Sequence, residues 1–138
     1  MANAELVASV KRIVAFAKAG DTDTAYSGYR DLFSSPEFAT YRPEDQRTAL
    51  RLMVLAKVVA SKRTPAMIEA HQSAIPPLTN LVATIADPGD HELLGMCLVL
   101  VGNEDEARRV FRTGLALERE HNAQSDLCGA FLKRISFL

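Results

Sequence analysis

Apolar residues recur every three or four positions through almost the whole of this 138-residue chain, a period that predicts helices with one buried face each. Leu6, Val7, Val10, Ile13, Val14 and Ala17 outline a first helix, stopped by Gly20-Asp21. A second runs from about Asp23 to Phe33 with Ala25, Tyr29 and Leu32 on one side, and Pro36 prevents its continuation. A third begins at Arg42-Pro43-Glu44-Asp45, where proline suits a first turn and carboxylates face the positive end of the helix dipole. Its stripe is Leu50, Met53, Val54, Val58 and Val59, widened by Leu52 and Leu55. Thr64-Pro65 starts a fourth helix, which Pro76-Pro77 are expected to end or kink, leaving a short separate helix over about 78–86. Asp87-Pro88-Gly89-Asp90 opens a fifth, apolar nearly all round from Leu93 to Val101 apart from Gly95, as a central helix would be. After Gly102-Asn103, three acids lead a sixth helix with Ala107, Val110, Phe111 and Leu115 on one face. A last helix, about 123–136, carries Leu127, Cys128, Phe131, Leu132 and Ile135. No segment alternates with the period of a strand, so the expected class is all-α.

Between 88 and 121 the spacing is more specific. His91, Leu94-Gly95, Leu98, Gly102-Asn103, Ala107 and Phe111 follow the order of a tetratricopeptide repeat, and the chain resembles that family. His91 and Leu98 stand where Trp and Tyr are usual, Arg119 stands in place of the closing Pro, and Gly114 fills another small-residue slot. Residues 6–39 form a weaker copy: Gly20-Asp21 matches Gly102-Asn103, Ala25 matches Ala107 and Tyr29 matches Phe111, while Arg12-Ile13 replaces Leu-Gly. The two turns are 82 positions apart, against about 68 for two unbroken 34-residue periods, so about 14 residues are inserted between them. The resemblance implies antiparallel, TPR-like helical hairpins stacked as a short right-handed array in one domain, residues 1–138. Its units are approximately 6–39, 44–77 and 88–121, with an inserted segment 78–86 and a C-terminal capping helix 123–136.

Charge and composition narrow the function classes. The formal net charge is −1, which provides no overall pull toward nucleic acid or anionic lipid. Residues 51–86 carry a net +3 and residues 87–138 a net −3, a distribution expected of solvated helix faces. The longest uncharged run, Ala70 to Ala86, contains Pro76-Pro77, Thr79 and Asn80 and is too short and polar to span a bilayer. The N-terminal order of acid before basic pair does not suit a secretory signal, so a soluble cytoplasmic protein is expected. Cys97 and Cys128 lie within apolar helical patterns and read as buried, reduced thiols.

Motifs for chemistry are not found. His91-Glu92-Leu93-Leu94-Gly95 begins like a zinc-protease motif but has Gly95 where the second histidine is required. Glu118 to His121 is a single E-x-x-H at a polar helix end, whereas di-iron bundles use it twice. His71, among Glu69, Gln72 and Ser73, reads as a surface residue. Phosphate-binding glycine loops and a G-x-S-x-G elbow do not occur. No catalytic, metal or cofactor residues are therefore assigned, and an enzyme is not expected.

In tetratricopeptide proteins the first helix of each unit lines the concave face. The resemblance implies inward positions Val7, Val10, Val14, Ala17 and Lys18 in the first unit, and Gly89, Glu92, Met96, Val99 and Leu100 in the last. The family's carboxylate clamp of Lys, Asn and Arg is not reproduced there. Val10, Val14, Lys18, Glu92, Met96 and Val99 are the candidate partner-binding residues. An apolar groove edged by charges suits a peptide or an amphipathic helix, and Met96 adapts its shape readily. The same residues are equally consistent with core packing. The expected function is an adaptor or scaffold without catalysis. The alternatives are a small TPR-like chaperone for a secreted or assembly-prone client, and a helical-bundle enzyme or small-ligand sensor. Partner identity and oligomeric state are not determined by the sequence.

Overall fold

A computed structural model describes residues 2–56 and 63–138. Its described residues form seven α-helices and a short 3-10 helix, and no strand. The helices are α1 (Ala2–Lys18), α2 (Thr22–Ser34), α3 (Pro43–Val54), α4 (Pro65–Thr84), α5 (Pro88–Leu100), α6 (Glu104–Asn122) and α7 (Asp126–Ser136), with the 3-10 helix at Pro36–Thr40. Val58 and Val59, expected to extend the third helix, lie outside the described residues.

The helix ends follow local chemistry. Asp87 accepts from the Gly89 N–H at 2.9 Å, Asn103 from Glu106 at 3.4 Å and Ser125 from Cys128 at 3.2 Å. Each supplies one of the acceptors that a helix start lacks. Thr64 does the same for Met67 at 3.2 Å. At the other ends, Gly20 and Gly102 take φ of 86° and 90°, where a side chain would be strained. Asp21 N–H bonds Phe16 O at 2.9 Å and Gly20 N–H bonds Ala17 O at 3.1 Å; Asn103 bonds Leu98 O at 2.8 Å and Gly102 bonds Val99 O at 3.0 Å. Both turns are Schellman caps, and both continue with a bond from the alanine four residues on, Ala25 to Asp21 and Ala107 to Asn103, each 3.1 Å. The same backbone pattern thus recurs 82 positions along the chain.

Internal contacts divide the chain into two compact units, Met1–Pro77 and Leu78–Leu138. In the first, the Gly20 turn folds α2 back along α1. The Thr64 hydroxyl donates to Asp23 at 2.8 Å, Arg30 pairs with Glu69 at 3.0 Å and Ser34 meets Ser73 at 3.2 Å. Those contacts advance together along both elements, so α2 and the start of α4 run side by side in one direction. Tyr29, Phe33, Phe38 and Tyr41 contact one another in series, Tyr29 on Phe33 stacked and the other two pairs edge to face, with ring centroids 5.2–6.1 Å apart. Phe38 in this way ties the 3-10 helix, which the apolar period did not reveal, into the core.

In the second unit, α5 and α6 form the hairpin around Gly102. A Cβ on Gly95 would lie 2.2 Å from Phe111, and one on Gly114 would lie 2.6 Å from Phe131 and 2.7 Å from His91 Cβ. Both glycines are therefore sites of close helix approach. In the first hairpin the close approach uses a different pair of positions. Ile13 occupies the position equivalent to Gly95, and the glycine is on the opposite helix, where a Cβ on Gly28 would lie 2.8 Å from Ile13. A lone glycine inside a helix costs about 1 kcal/mol relative to alanine, and that cost was the signal in the sequence for Gly28.

Four expectations are corrected. The fourth helix does not end at Pro76-Pro77: α4 is one element from Pro65 to Thr84, and residues 78–84 are its last turns rather than a separate inserted helix. Met67, Ala70, His71, Ala74, Leu78 and Leu81 are all buried and keep helical spacing through the prolines. Burial of that stripe favours continuation over the roughly 3 kcal/mol that an interior proline costs, while Pro76 itself faces solvent. His71 is buried, not on the surface. Leu52 and Leu55 do not widen the third helix's buried stripe; they are 44% and 36% exposed. The last helix starts at Asp126, behind its Ser125 cap, instead of about 123.

Candidate functional site

Helix α1 presents two faces with different fates. Leu6 and Ile13 are buried, while Val7, Val10, Lys11, Val14 and Lys18 follow helical spacing around an adjoining face that stays partly or fully open. Along α3, Ala49, Leu50 and Met53 are buried, and Asp45, Thr48 and Leu52 lie at the margin of that stripe. The two margins meet in a groove of about 170 Å³, with Leu6 and Ala49 as its buried floor and Val7, Val10, Thr48 and Leu52 among its walls. Val7 and Leu52 are each 44% exposed. The apolar surface continues along α3 through Leu52 and Leu55 to Ala56, beside Arg51.

The charges at this groove are unequal in what they leave available. Asp45 accepts from both Nε and a terminal nitrogen of Arg42, at 3.1 and 3.4 Å. Lys11 and Arg51 are exposed, and Lys18 is exposed at the end of the same face of α1. Glu44 lies two turns before Arg51 and does not line the groove.

The sequence-predicted residues divide between the units. Val10 lines the α1–α3 groove; Val14 is half-buried one turn further along and Lys18 is exposed one turn beyond that. On α5, Glu92, Met96 and Val99 share one half-buried face. Glu92 is engaged there: Arg134 Nε of α7 donates to its carboxylate at 3.1 Å, and the Glu92 side chain is only 15% exposed. Leu6, Ala49 and Leu52 were not selected from the sequence. Leu6 and Leu52 were in the apolar stripes read from the sequence, but periodicity does not distinguish a stripe's centre from its margin, and Ala49 was not in the stripe at all.

A second cleft, about 570 Å³, opens between α1, α2 and the 3-10 helix, where Arg12, Ser27, Asp31 and Glu37 line it beside Phe16. Its polar groups point to a solvated surface and show no convergence on one point.

The groups most suited to chemistry are engaged in the fold. His71 and His91 each donate from Nδ1 to the carbonyl four residues earlier, Met67 at 2.8 Å and Asp87 at 3.0 Å. Cys97 and Cys128 are buried and unbridged. Burial pushes the Cys97 thiol up to about 12, so at neutral pH it is protonated and poorly nucleophilic. Among the described residues no group of three or more His, Cys, Asp and Glu could hold a metal ion, and no helix is long and apolar enough to cross a membrane.

Burial also holds His71 below the ordinary histidine value, with its bond to Met67 acting in the opposite direction. The unfolded chain then takes up a proton near pH 6.5 that the folded protein resists. The neutral His71 contribution is fully present above that value and declines as pH falls toward the lowered folded value. His71→Phe, which retains a ring beside Tyr26 (centroids 5.9 Å apart in the native pair), should lose less melting temperature between pH 8 and pH 5 than the native chain. Equal losses would rule out this role.

Comparison with known protein families, curated proteins and solved structures finds no match to this chain.

Proposed function

We infer that this chain is a protein-interaction module: a TPR-like adaptor, without catalytic activity, that holds an apolar peptide or amphipathic helix on the surface of its first helices. The observation that carries this reading is the α1–α3 groove, with a buried apolar floor and Val7 and Leu52 exposed at 44% on its walls. Exposed apolar side chains lining a concavity favour an interaction, whereas scattered ones do not.

The repeat reading has separate support. The Gly20 and Gly102 turns share one hydrogen-bond pattern. Within Met1–Pro77, α1 shares a groove with α3, while α2 runs beside α4. That is the neighbour relation of stacked hairpins, first helix to first and second to second. In this reading α7, with its buried Cys128 and Phe131 and its exposed Leu132, is the capping helix. The reduced, buried thiols favour a cytoplasmic setting.

The test is partner capture from the native cell with the chain and its Leu52→Glu variant. Leu52 is 44% exposed and outside the buried core in the free protein, so its melting temperature should change little. A carboxylate desolvated in an apolar interface costs a few kcal/mol, so capture should fall by at least tenfold. Unchanged capture of the same partner would remove the groove from the reading.

A further inference from the structure

Building on that reading of the groove, we propose that its occupant is a short amphipathic helix whose apolar stripe is flanked by carboxylates.

The paired backbone of the groove walls favours a helical ligand. The groove walls are α1 and α3, whose N–H and C=O groups are already paired along each helix except at the ends. An extended peptide would have no sheet edge to join here, and its backbone would lose water without gaining partners. A helical ligand satisfies its own backbone and need offer only side chains. From Asp45 to Leu55 the α3 wall is about 15 Å long at 1.5 Å per residue, about three helical turns. Three or four apolar side chains at i, i+3, i+4 and i+7 fill that length.

The charges at the groove edges favour acidic flanks. Arg42 already engages Asp45 through two hydrogen bonds, at 3.1 and 3.4 Å. Lys11 lines the groove with Val7 and Val10, and Arg51 lines its continuation with Leu52 and Leu55; both are exposed. Lys18 extends the positive edge along the open face of α1. Apolar walls with cationic edges complement a ligand stripe with acidic edges, and repel one with basic edges. Exposed ion pairs add little affinity individually, so the charges mainly steer association and choose among helices with similar apolar stripes.

A displayed library of 16-residue helix-forming peptides, with leucines fixed at i, i+3 and i+7 and the flanking positions randomised, tests the assignment. It is panned against the full chain and, in parallel, against the Val7→Glu/Leu52→Glu double variant. Melting curves establish that the variant is folded, with Val7→Ser/Leu52→Ser as the substitute if it is not. Enrichment of Asp and Glu flanks on the native chain, lost on the double variant, is the expected result. An enriched peptide, followed by fluorescence anisotropy, should bind Lys11→Glu/Arg51→Glu roughly tenfold more weakly at low salt, and that difference should shrink at high salt. Groove-dependent enrichment with basic or neutral flanks, or no effect of the charge reversal, overturns the acidic assignment but leaves the groove reading intact. Enrichment indifferent to Val7 and Leu52 overturns both. Sedimentation of the chain alone covers the remaining occupant: a dimer abolished by Leu52→Glu would place a second copy in the groove and overturn the proposal.

Discussion

Gly95→Ala should destabilise the chain, although the same exchange at an open helix position would stabilise it. Alanine gains about 1 kcal/mol of helix propensity over glycine. Against this, the new methyl group would lie 2.2 Å from Cε1 and 2.6 Å from Cζ of Phe111, far inside van der Waals contact. The ring has little room to retreat: Phe111 is 1% exposed, and the Phe131 ring is beyond it at a centroid distance of 6.2 Å. Overpacking of this kind costs about 1–3 kcal/mol, so the net effect is a loss, and Gly95→Leu should be worse. Phe111→Leu alone leaves a cavity and also costs stability. Combined with Gly95→Ala it should cost less than the sum of the two, because the smaller side chain vacates the space that the methyl requires. Coupling of about 0.5–3 kcal/mol is the expected size for contacting residues. Urea denaturation of the four proteins of this cycle measures it, and strictly additive costs would show that the ring does not rest on Gly95.

Phe131→Ala should have the largest effect of any single truncation in α7, about 3–5 kcal/mol and on the order of 10 °C in melting temperature. Phe131 is fully buried, packed on Gly114 and beside Phe111. Gly114 leaves no Cβ to fill the vacated space, so the cavity has few ways to collapse. Cys128 is the other buried side chain of α7 and is much smaller; two polar ties add to it, Arg134 to Glu92 and Arg108 to the Leu138 carbonyl at 2.7 Å. Hydrogen exchange should therefore show α7 losing protection before α5 and α6 in the variant. Simultaneous loss across all three helices would instead make them one cooperative unit. A change below 1 kcal/mol would show that Phe131 is not the anchor of α7.

The sequence carried the local decisions legibly. Helix starts at Asp87, Asn103 and Thr64 follow from side-chain acceptors two or three residues before the N–H groups they serve, and the Gly20 and Gly102 turns follow from glycine's access to positive φ. The matches of Ala25 with Ala107 and Tyr29 with Phe111 were readable because they keep a fixed distance from those turns; all four residues are buried. Each of these features depends on neighbours within one or two turns, so the chain determines them before distant segments meet.

Tertiary structure decided what depends on a second element. Val7 and Leu52 have the same apolar character as Leu6 and Ala49 beside them. Only the meeting of α1 with α3 made the latter pair the floor of a groove and left the former exposed on its walls. Ile13 could not be read as the partner of Gly28, because the small residue that admits it is on the facing helix, one position from the aromatic slot, and leaves no Leu-Gly motif. His71 has polar sequence neighbours, yet its local bond to Met67 and the approach of Tyr26 let it be buried. Pro76-Pro77 predicted a break on local grounds, and the buried stripe on both sides of them outweighed that preference. The sequence by itself determined where helices begin, where two of them turn back, and that the class is all-α. Which apolar residues form the core and which remain open to a partner was determined only when the helices packed, because burial is a property of pairs of surfaces and not of the residues on one of them.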